Sequence, residues 1–168
     1  LQIAKLDRGV IKLKFVKIDI HEVIETCINT FSVPIQDRNG KIISHLNASK
    51  MHIKGDIIHI TNIIYNLFDN ANKYSPKKPN IRITTLNSNS QLTVEIQDNG
   101  IGIKKEDMRH IFEKFYRVST GDVHNVKGFG LGLYYVKQMI EKHGGEIQID
   151  SKIGEGSTFI LTFPISKN

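Results

Sequence analysis

Asn66, Asn70 and Lys73 are spaced four and three residues apart in this 168-residue chain. If residues 57–73 form a helix, a step of about 100° per residue places all three on one stripe. In the same segment the apolar residues Ile57, Ile60, Ile64, Leu67 and Ala71 recur at steps of 3, 4, 3 and 4. The last four of these define the face to be buried. The polar stripe lies roughly 90° to 150° from the centre of that face, with Asn70 nearest the core. Asp69 and Asn72 fall outside the stripe and are expected to point to solvent. A carboxamide oxygen is a hard ligand suited to Mg²⁺, and a neighbouring lysine can neutralise phosphate charge. The plain alternative is a polar edge that solvates a helix.

Glycines supply the second signal. Ten of the 13 lie between positions 100 and 156. They gather in Asp98-Asn99-Gly100-Ile101-Gly102, Gly128-Phe129-Gly130-Leu131-Gly132 and Gly154-Glu155-Gly156. Glycine lets the backbone approach a ligand closely and adopt positive φ, and it also makes ordinary turns. Three such clusters between successive elements point beyond turns. Known phosphate loops are excluded: there is no G-x-x-x-x-G-K-[ST]. Gly130-Leu131-Gly132 is followed by Leu133, Tyr134 and Tyr135, so the dinucleotide G-x-G-x-x-G fails. The H-R-D and D-F-G signatures of protein kinases are missing. Gly132 stands at a predicted helix start, where free N–H groups suit a phosphate.

The elements that must position these residues follow from caps and periodicity. Residues 1–12 read as the end of a helix stopped by Gly9, and 13–18 as a strand. Asp19 caps a helix with Val23, Ile24, Cys27, Ile28 and Phe31 on its buried face, ended by Pro34. Lys41–Leu46 is a short strand. Asp56 caps the helix that carries the amide stripe, and Pro76 and Pro79 end it. Ile81–Leu86 and Leu92–Gln97 are strands joined by a polar turn. A helix is predicted at 104–114, a loop at 118–127 and a helix at 131–143 closed by Gly144-Gly145. Strands at 146–150 and 158–163 finish the chain. This order predicts an α/β two-layer sandwich: a mixed, mostly antiparallel sheet of about five strands with about three helices on one face.

Composition narrows the class. A 39% hydrophobic fraction excludes a largely disordered chain. The single Cys27 excludes a disulfide framework and a multi-cysteine zinc site. No run reaches the ~18 apolar residues of a membrane span. The net charge of +6 is spread without a basic run or an arginine stripe, so nothing marks nucleic acid as a partner. The chain begins at Leu1 with no signal-peptide pattern and is expected to be part of something longer.

Taken together, the motifs resemble those of bacterial sensor histidine kinases. Asn66-Leu67-Phe68-Asp69-Asn70-Ala71-Asn72-Lys73-Tyr74-Ser75 is similar to their N box, and Asp98 to Ile103 to their first glycine box. Ile111 to Arg117 resembles the F box. Gly128 to Leu133 and Gly154 to Phe159 resemble the second and third glycine boxes. All five occur in the family's order, over about residues 13–165, in a superfamily shared with gyrase, chaperone and mismatch-repair ATPases. The resemblance implies that fold, with ATP and Mg²⁺ as cofactors. Asn70 would coordinate the metal with help from Asn66. Lys73 would touch phosphate and Tyr74 would pack near the base or ribose. Asp98 would accept a hydrogen bond from the adenine amino group, and Gly100 and Gly102 would let the base lie against the backbone. Lys114 and Arg117 would reach the γ-phosphate. Residues 118–127 would be the ATP lid, with Gly128, Gly130 and Gly132 as hinge and cradle. Ile103, Tyr116, Leu131, Leu133 and Thr158 would complete the nucleotide site. Phe112 and Phe115 are expected simply to pack in the core.

Within the superfamily, hydrolases resemble one another in a glutamate four residues before the metal asparagine. Here that place is Asn66, a poor general base. Transfer to a protein histidine is therefore expected, with an ATP hydrolase or a nucleotide-gated interaction module as alternatives. None of the seven histidines resembles the family's acceptor. His21-Glu22 is superficially similar, but it falls on the first helix of the ATP-binding domain. Residues 1–12 then look like the tail of an upstream dimerisation hairpin bearing the acceptor, and 13–168 like the catalytic domain. The implied partners are that hairpin and a response regulator, in a homodimeric parent anchored in the inner membrane with this domain in the cytoplasm. The whole reading requires the amide stripe, Asp98 and the glycine hinges to share one cavity.

Overall fold

The computed structural model describes residues 11–75, 78–118 and 129–165. Residues 1–10 of the predicted helix tail, all but Val118 of the predicted lid, Pro76 and Gly128 lie outside these residues. Ile11 and Lys12, expected to belong to the tail, are not helical, and Ile11 packs against the core.

Strand β1 (Val16–Asp19) runs into helix α1 (Ile20–Gln36). The Asp19 carboxylate accepts the His21 N–H at 2.8 Å, which satisfies a donor the helix cannot. Ile20, Val23, Ile24, Cys27, Phe31 and Ile35 form the buried face. Burial pushes the Cys27 thiol up to about 11. Pro34 does not end this helix as expected; it sits inside the last turn. Proline costs only its own donor there, while Ile35 beyond it is fully buried and the Asp37 N–H still reaches the Val33 carbonyl at 2.9 Å. The ring of His21 meets the Thr85 hydroxyl at 2.9 Å.

After β2 (Lys41–Leu46) comes β3 (His52–Gly55), a strand the sequence reading missed. It pairs antiparallel with β1, Ile18 opposite Ile53, in a separate two-stranded sheet. Helix α2 (Ile57–Tyr74) starts at Asp56, whose carboxylate accepts the N–H groups of Ile58 and His59 at 3.0 and 3.3 Å. Its buried face is wider than the predicted one, because Ile63 and Phe68 join Ile60, Ile64, Leu67 and Ala71. Burial acts to raise the Asp56 pKa. The N–H groups of Lys14, His59 and Ile58 and the charge of His59 outweigh it and hold the carboxyl below its ordinary value.

Strands β4 (Asn80–Ser88) and β5 (Gln91–Gln97) form a hairpin turned by Asn89 and Ser90, both at positive φ. With β6 (Glu146–Lys152) and β7 (Gly156–Pro164) they complete a five-stranded sheet in the order β2-β4-β5-β7-β6. β2 and β4 pair in parallel and the rest antiparallel. Registers such as Ile83 with Ile96 and Val94 with Leu161 stack the buried residues of neighbouring strands on one face. The three helices of the described residues cover that face, as the two-layer prediction requires.

The helix predicted at 104–114 is instead a run of turns. The N–H groups of His110 and Ile111 both reach the Asp107 carbonyl, at 2.8 and 3.1 Å, mixing two helical pitches. Ile111 is buried and Phe112 packs against the core, too few anchors for a regular helix. Helix α3 (Gly132–Lys142) buries Tyr135, Val136, Met139 and Ile140. His143 follows it, buried, with Nδ1 2.6 Å from the Met139 carbonyl. Its Nε2 accepts the Asp56 N–H at 3.0 Å, so the ring is neutral and its proton sits on Nδ1. One imidazole thereby ties the end of α3 to the cap of α2. Among the described residues no helix is long and apolar enough to cross a membrane.

Candidate functional site

A cavity of about 330 Å³ opens between the second half of α2, the loop after β5, the start of α3 and the start of β7. That volume suits a small-molecule ligand. From α2 it is lined by Asn66, Asn70, Lys73 and Tyr74, and from the loop by Asp98, Gly102 and Ile103. Tyr116, Arg117, Gly130, Leu131, Gly132 and Leu133 form the remaining predicted wall. The amide stripe, the aspartate and the glycine-rich helix start therefore face one space.

Asp98 is 8% exposed, and its Oδ1 accepts the N–H groups of Gly100 and Ser157 at 2.7 and 3.2 Å. Burial raises its pKa, against the pull of those two bonds. Its own N–H donates to the Ser157 carbonyl at 2.8 Å, which fixes the residue to β7. A carboxylate so held can accept a hydrogen bond from a ligand amino group.

The start of α3 is the anion-binding end. Leu131, its N-cap, offers no side-chain acceptor, and Gly132 and Leu133, whose N–H groups lead the helix, line the cavity. Across from it, the Asn66 amide nitrogen donates to the Asn62 carbonyl at 2.7 Å, which orients the carboxamide. Asn66 and Asn70 bring carboxamide oxygens. Among the described residues no three His, Cys, Asp or Glu gather as a metal site. The carboxamide oxygens of Asn66 and Asn70 are hard donors of the type that would suit Mg²⁺ together with a ligand's own oxygens.

Several predicted placements differ. Asp69 does not point away; it lines the cavity and accepts the Lys73 ammonium at 2.5 Å. A helix neighbour four residues off is within reach, and pairing draws both side chains along the cavity wall. Asn72 is also engaged, its side-chain oxygen accepting Arg38 Nη1 at 2.7 Å. Gly100 and Gly102 do not turn their missing side chains to open ligand space. A Cβ on Gly100 would meet the Asp98 carboxylate and the Tyr74 carbonyl, and one on Gly102 would lie 2.0 Å from the Lys152 carbonyl. These glycines let the loop pass between protein backbones, and only Gly102 also borders the cavity.

Thr158 alternates with Phe159 along β7, and Ser157 and Phe159 line the cavity while Thr158 does not. Lys114 is likewise outside the lining, its Nζ 5.1 Å from the centre of the Phe115 ring. Phe115 is not a core residue: it is 64% exposed at φ 67°. Its N–H donates to the Gly130 carbonyl at 3.0 Å, and a Cβ on Gly130 would strike the Phe115 and Tyr116 backbone. That close approach turns the ring outward. Tyr116 donates its hydroxyl to Asp107, and that bond, followed by burial and nearby acidic charge, raises its pKa.

Residues the sequence reading missed include Asp69, Ile101 and Ser157. Ser157 was within sight, since it lies in the third glycine box, but only the tertiary fold brings its N–H to Asp98.

Residues 55–167 match the family model for histidine kinase-, DNA gyrase B- and HSP90-like ATPases. Sensor protein RprX of Bacteroides fragilis is 48% identical over the whole chain. Sensor histidine kinase WalK of Bacillus subtilis is 31% identical over 98% of it. The chain spans 33% and 27% of those two proteins' lengths. The catalytic domain of histidine kinase ThkA superposes with a TM-score of 0.79 at 25% identity, covering 90% of this chain and 96% of that one.

Proposed function

Because the chain belongs to the family of histidine kinase-, DNA gyrase B- and HSP90-like ATPases, we propose that it is the ATP-binding catalytic domain of a sensor histidine kinase. It delivers the γ-phosphoryl group of Mg-ATP to a histidine on a separate helical domain. The observation that carries this is the single cavity shared by the α2 amide edge, buried Asp98 and the start of α3.

In this reading Asp98 selects adenine by accepting from its amino group, and Tyr74 and Ile103 flank the base. Asn70, with Asn66, would hold Mg²⁺, whose charge would offset that of the phosphates. The N–H groups at Leu131, Gly132 and Leu133 cradle the phosphates. Lys73 exchanges Asp69 for phosphate when nucleotide enters. Arg117, exposed and on the cavity wall, stabilises charge on the transferring group. Lys114 stands off the wall, so the cationic role rests on Arg117.

Phosphotransfer is favoured over hydrolysis by Asn66. Its neutral amide already donates to Asn62 and cannot take a proton from water. The catalytic domain begins by Ile11, which already packs against its core, and the acceptor-bearing hairpin is a separate part of the parent. The parent is a membrane-anchored homodimer that passes its phosphoryl group to a response regulator.

The test mixes this chain with a separately prepared hairpin domain and γ-labelled ATP. Label on the hairpin, with none retained on this chain and little free phosphate, is the expected result. Rapid phosphate release that Asn66→Ala abolishes would establish a hydrolase instead. Tight nucleotide binding without labelled hairpin would establish a binding module.

A further inference from the structure

We propose that Arg38, which lies outside the cavity, is the positioning residue that holds both the adenine and the phosphate ends of the site; this rests on the nucleotide reading above. The last turn of α2 carries Asn70, Lys73 and Tyr74, yet it ends at Ser75 in extended backbone with no glycine to fold its carbonyls back. Those carbonyls depend on donors from elsewhere. The Ser75 hydroxyl donates to the Ala71 carbonyl at 2.6 Å. Arg38, from the turn after α1, straddles the helix end. Its Nη1 donates to the Asn72 carbonyl at 2.5 Å and to the Asn72 side-chain oxygen at 2.7 Å, and its Nη2 to the Ser75 carbonyl at 2.8 Å. A planar guanidinium makes these bonds together, which a single ammonium cannot.

The clamp extends to the base-binding loop. The Tyr74 carbonyl, between the two that Arg38 holds, accepts the Ile101 N–H at 3.1 Å. It also stands 2.8 Å from where a Cβ on Gly100 would be. Any shift of the last α2 turn therefore moves Lys73, Tyr74 and the Asp98–Gly102 loop as one body. Loss of Arg38 should weaken adenosine and Mg-ATP alike. Loss of Lys73, by contrast, should weaken only the ligand that carries phosphates.

The experiment is calorimetric titration of adenosine and Mg-ATP into the whole chain, wild type and Arg38→Ala, Arg38→Lys and Lys73→Ala, well below the melting temperature. Thermal melts run in parallel. Arg38→Ala is expected to lower both affinities by about tenfold while still folded. Arg38→Lys should recover only part of that loss, and Lys73→Ala should spare adenosine. Folded Arg38→Ala with both affinities within about twofold of wild type would overturn the proposal and leave the nucleotide reading standing. An Arg38→Ala chain that does not fold moves the comparison to Arg38→Lys, where unchanged affinities would overturn the proposal equally. Wild type that binds neither ligand would overturn both.

Discussion

A side chain on Gly132 would begin 2.9 Å from the carboxamide oxygen of Asn66, so the start of α3 and the amide edge of α2 meet through a missing methyl group. The contact is with the end of a side chain, which can rotate. Gly132→Ala should therefore leave the fold intact, with stability changed by less than about 1 kcal/mol. The displaced amide should instead cost nucleotide affinity. Calorimetry beside a thermal melt checks both halves, and an unchanged affinity would detach Asn66 from the site.

Gly102 and Gly154 share nearly the same backbone, φ 70° and 79°, in very different surroundings. A Cβ at 102 would lie 2.0 Å from the Lys152 carbonyl, and one at 154 would have nothing within 4 Å. Gly154→Ala should cost about 1 kcal/mol, the strain of a left-handed residue. Gly102→Ala adds a backbone clash and should cost on the order of 2–4 kcal/mol. Urea unfolding of the two variants isolates the close approach, and equal costs would refute it.

His143 predicts acid sensitivity. Burial lowers its pKa from the ordinary 6.5, partly offset by its bond to the Met139 carbonyl. As pH falls through 6.5 the unfolded chain takes up a proton that the folded chain resists. The stability held by the neutral ring is complete above that pH and is lost as pH falls through the lowered value. The urea midpoint should drop from about pH 7.5 to about pH 5.5, and drop less in His143→Gln. Identical pH responses would show that another group titrates. The low pKa of Asp56 acts in a separate, more acidic window, its contribution lost only as pH falls below the ordinary 3.8 and through the lowered value.

Asn70→Ala tests the metal. Titration of ATP with Mg²⁺ and then with excess chelator should show a clear Mg²⁺ dependence in wild type and none in the variant. Stability should change little, because Asn70 is only half-buried on the cavity side. A preserved Mg²⁺ dependence would remove Asn70 from the cation site.

Much of the fold was legible because its signals are local. Asp19 and Asp56 cap the helices that follow them, and the buried alternation of β5 and the turn at Asn89-Ser90 appear where periodicity placed them. The exceptions have local causes too. β3 buries one large apolar side chain, Ile53, which leaves no period to read. The segment 104–114 carries helix-forming residues without a stripe to bury.

The candidate site was legible by motif and only partly by geometry. Periodicity tells which face of α2 is buried, and so places Asn66, Asn70 and Lys73 beside it. It does not tell that Asp69 is drawn to Lys73, that Thr158 lies off the cavity wall, or that Phe115 is turned outward by Gly130.

By itself the sequence determined the helical caps, the amphipathic faces, the hairpin and the five ordered motifs, since each depends on residues within a turn or two of one another. Tertiary structure alone decided the parallel pairing of β2 with β4, the union of α2, Asp98 and α3 around one cavity, and the grip of Arg38 on the end of α2. Those contacts join residues tens of positions apart. They follow from how buried faces pack and how orphaned carbonyls find donors, which no short-range pattern encodes.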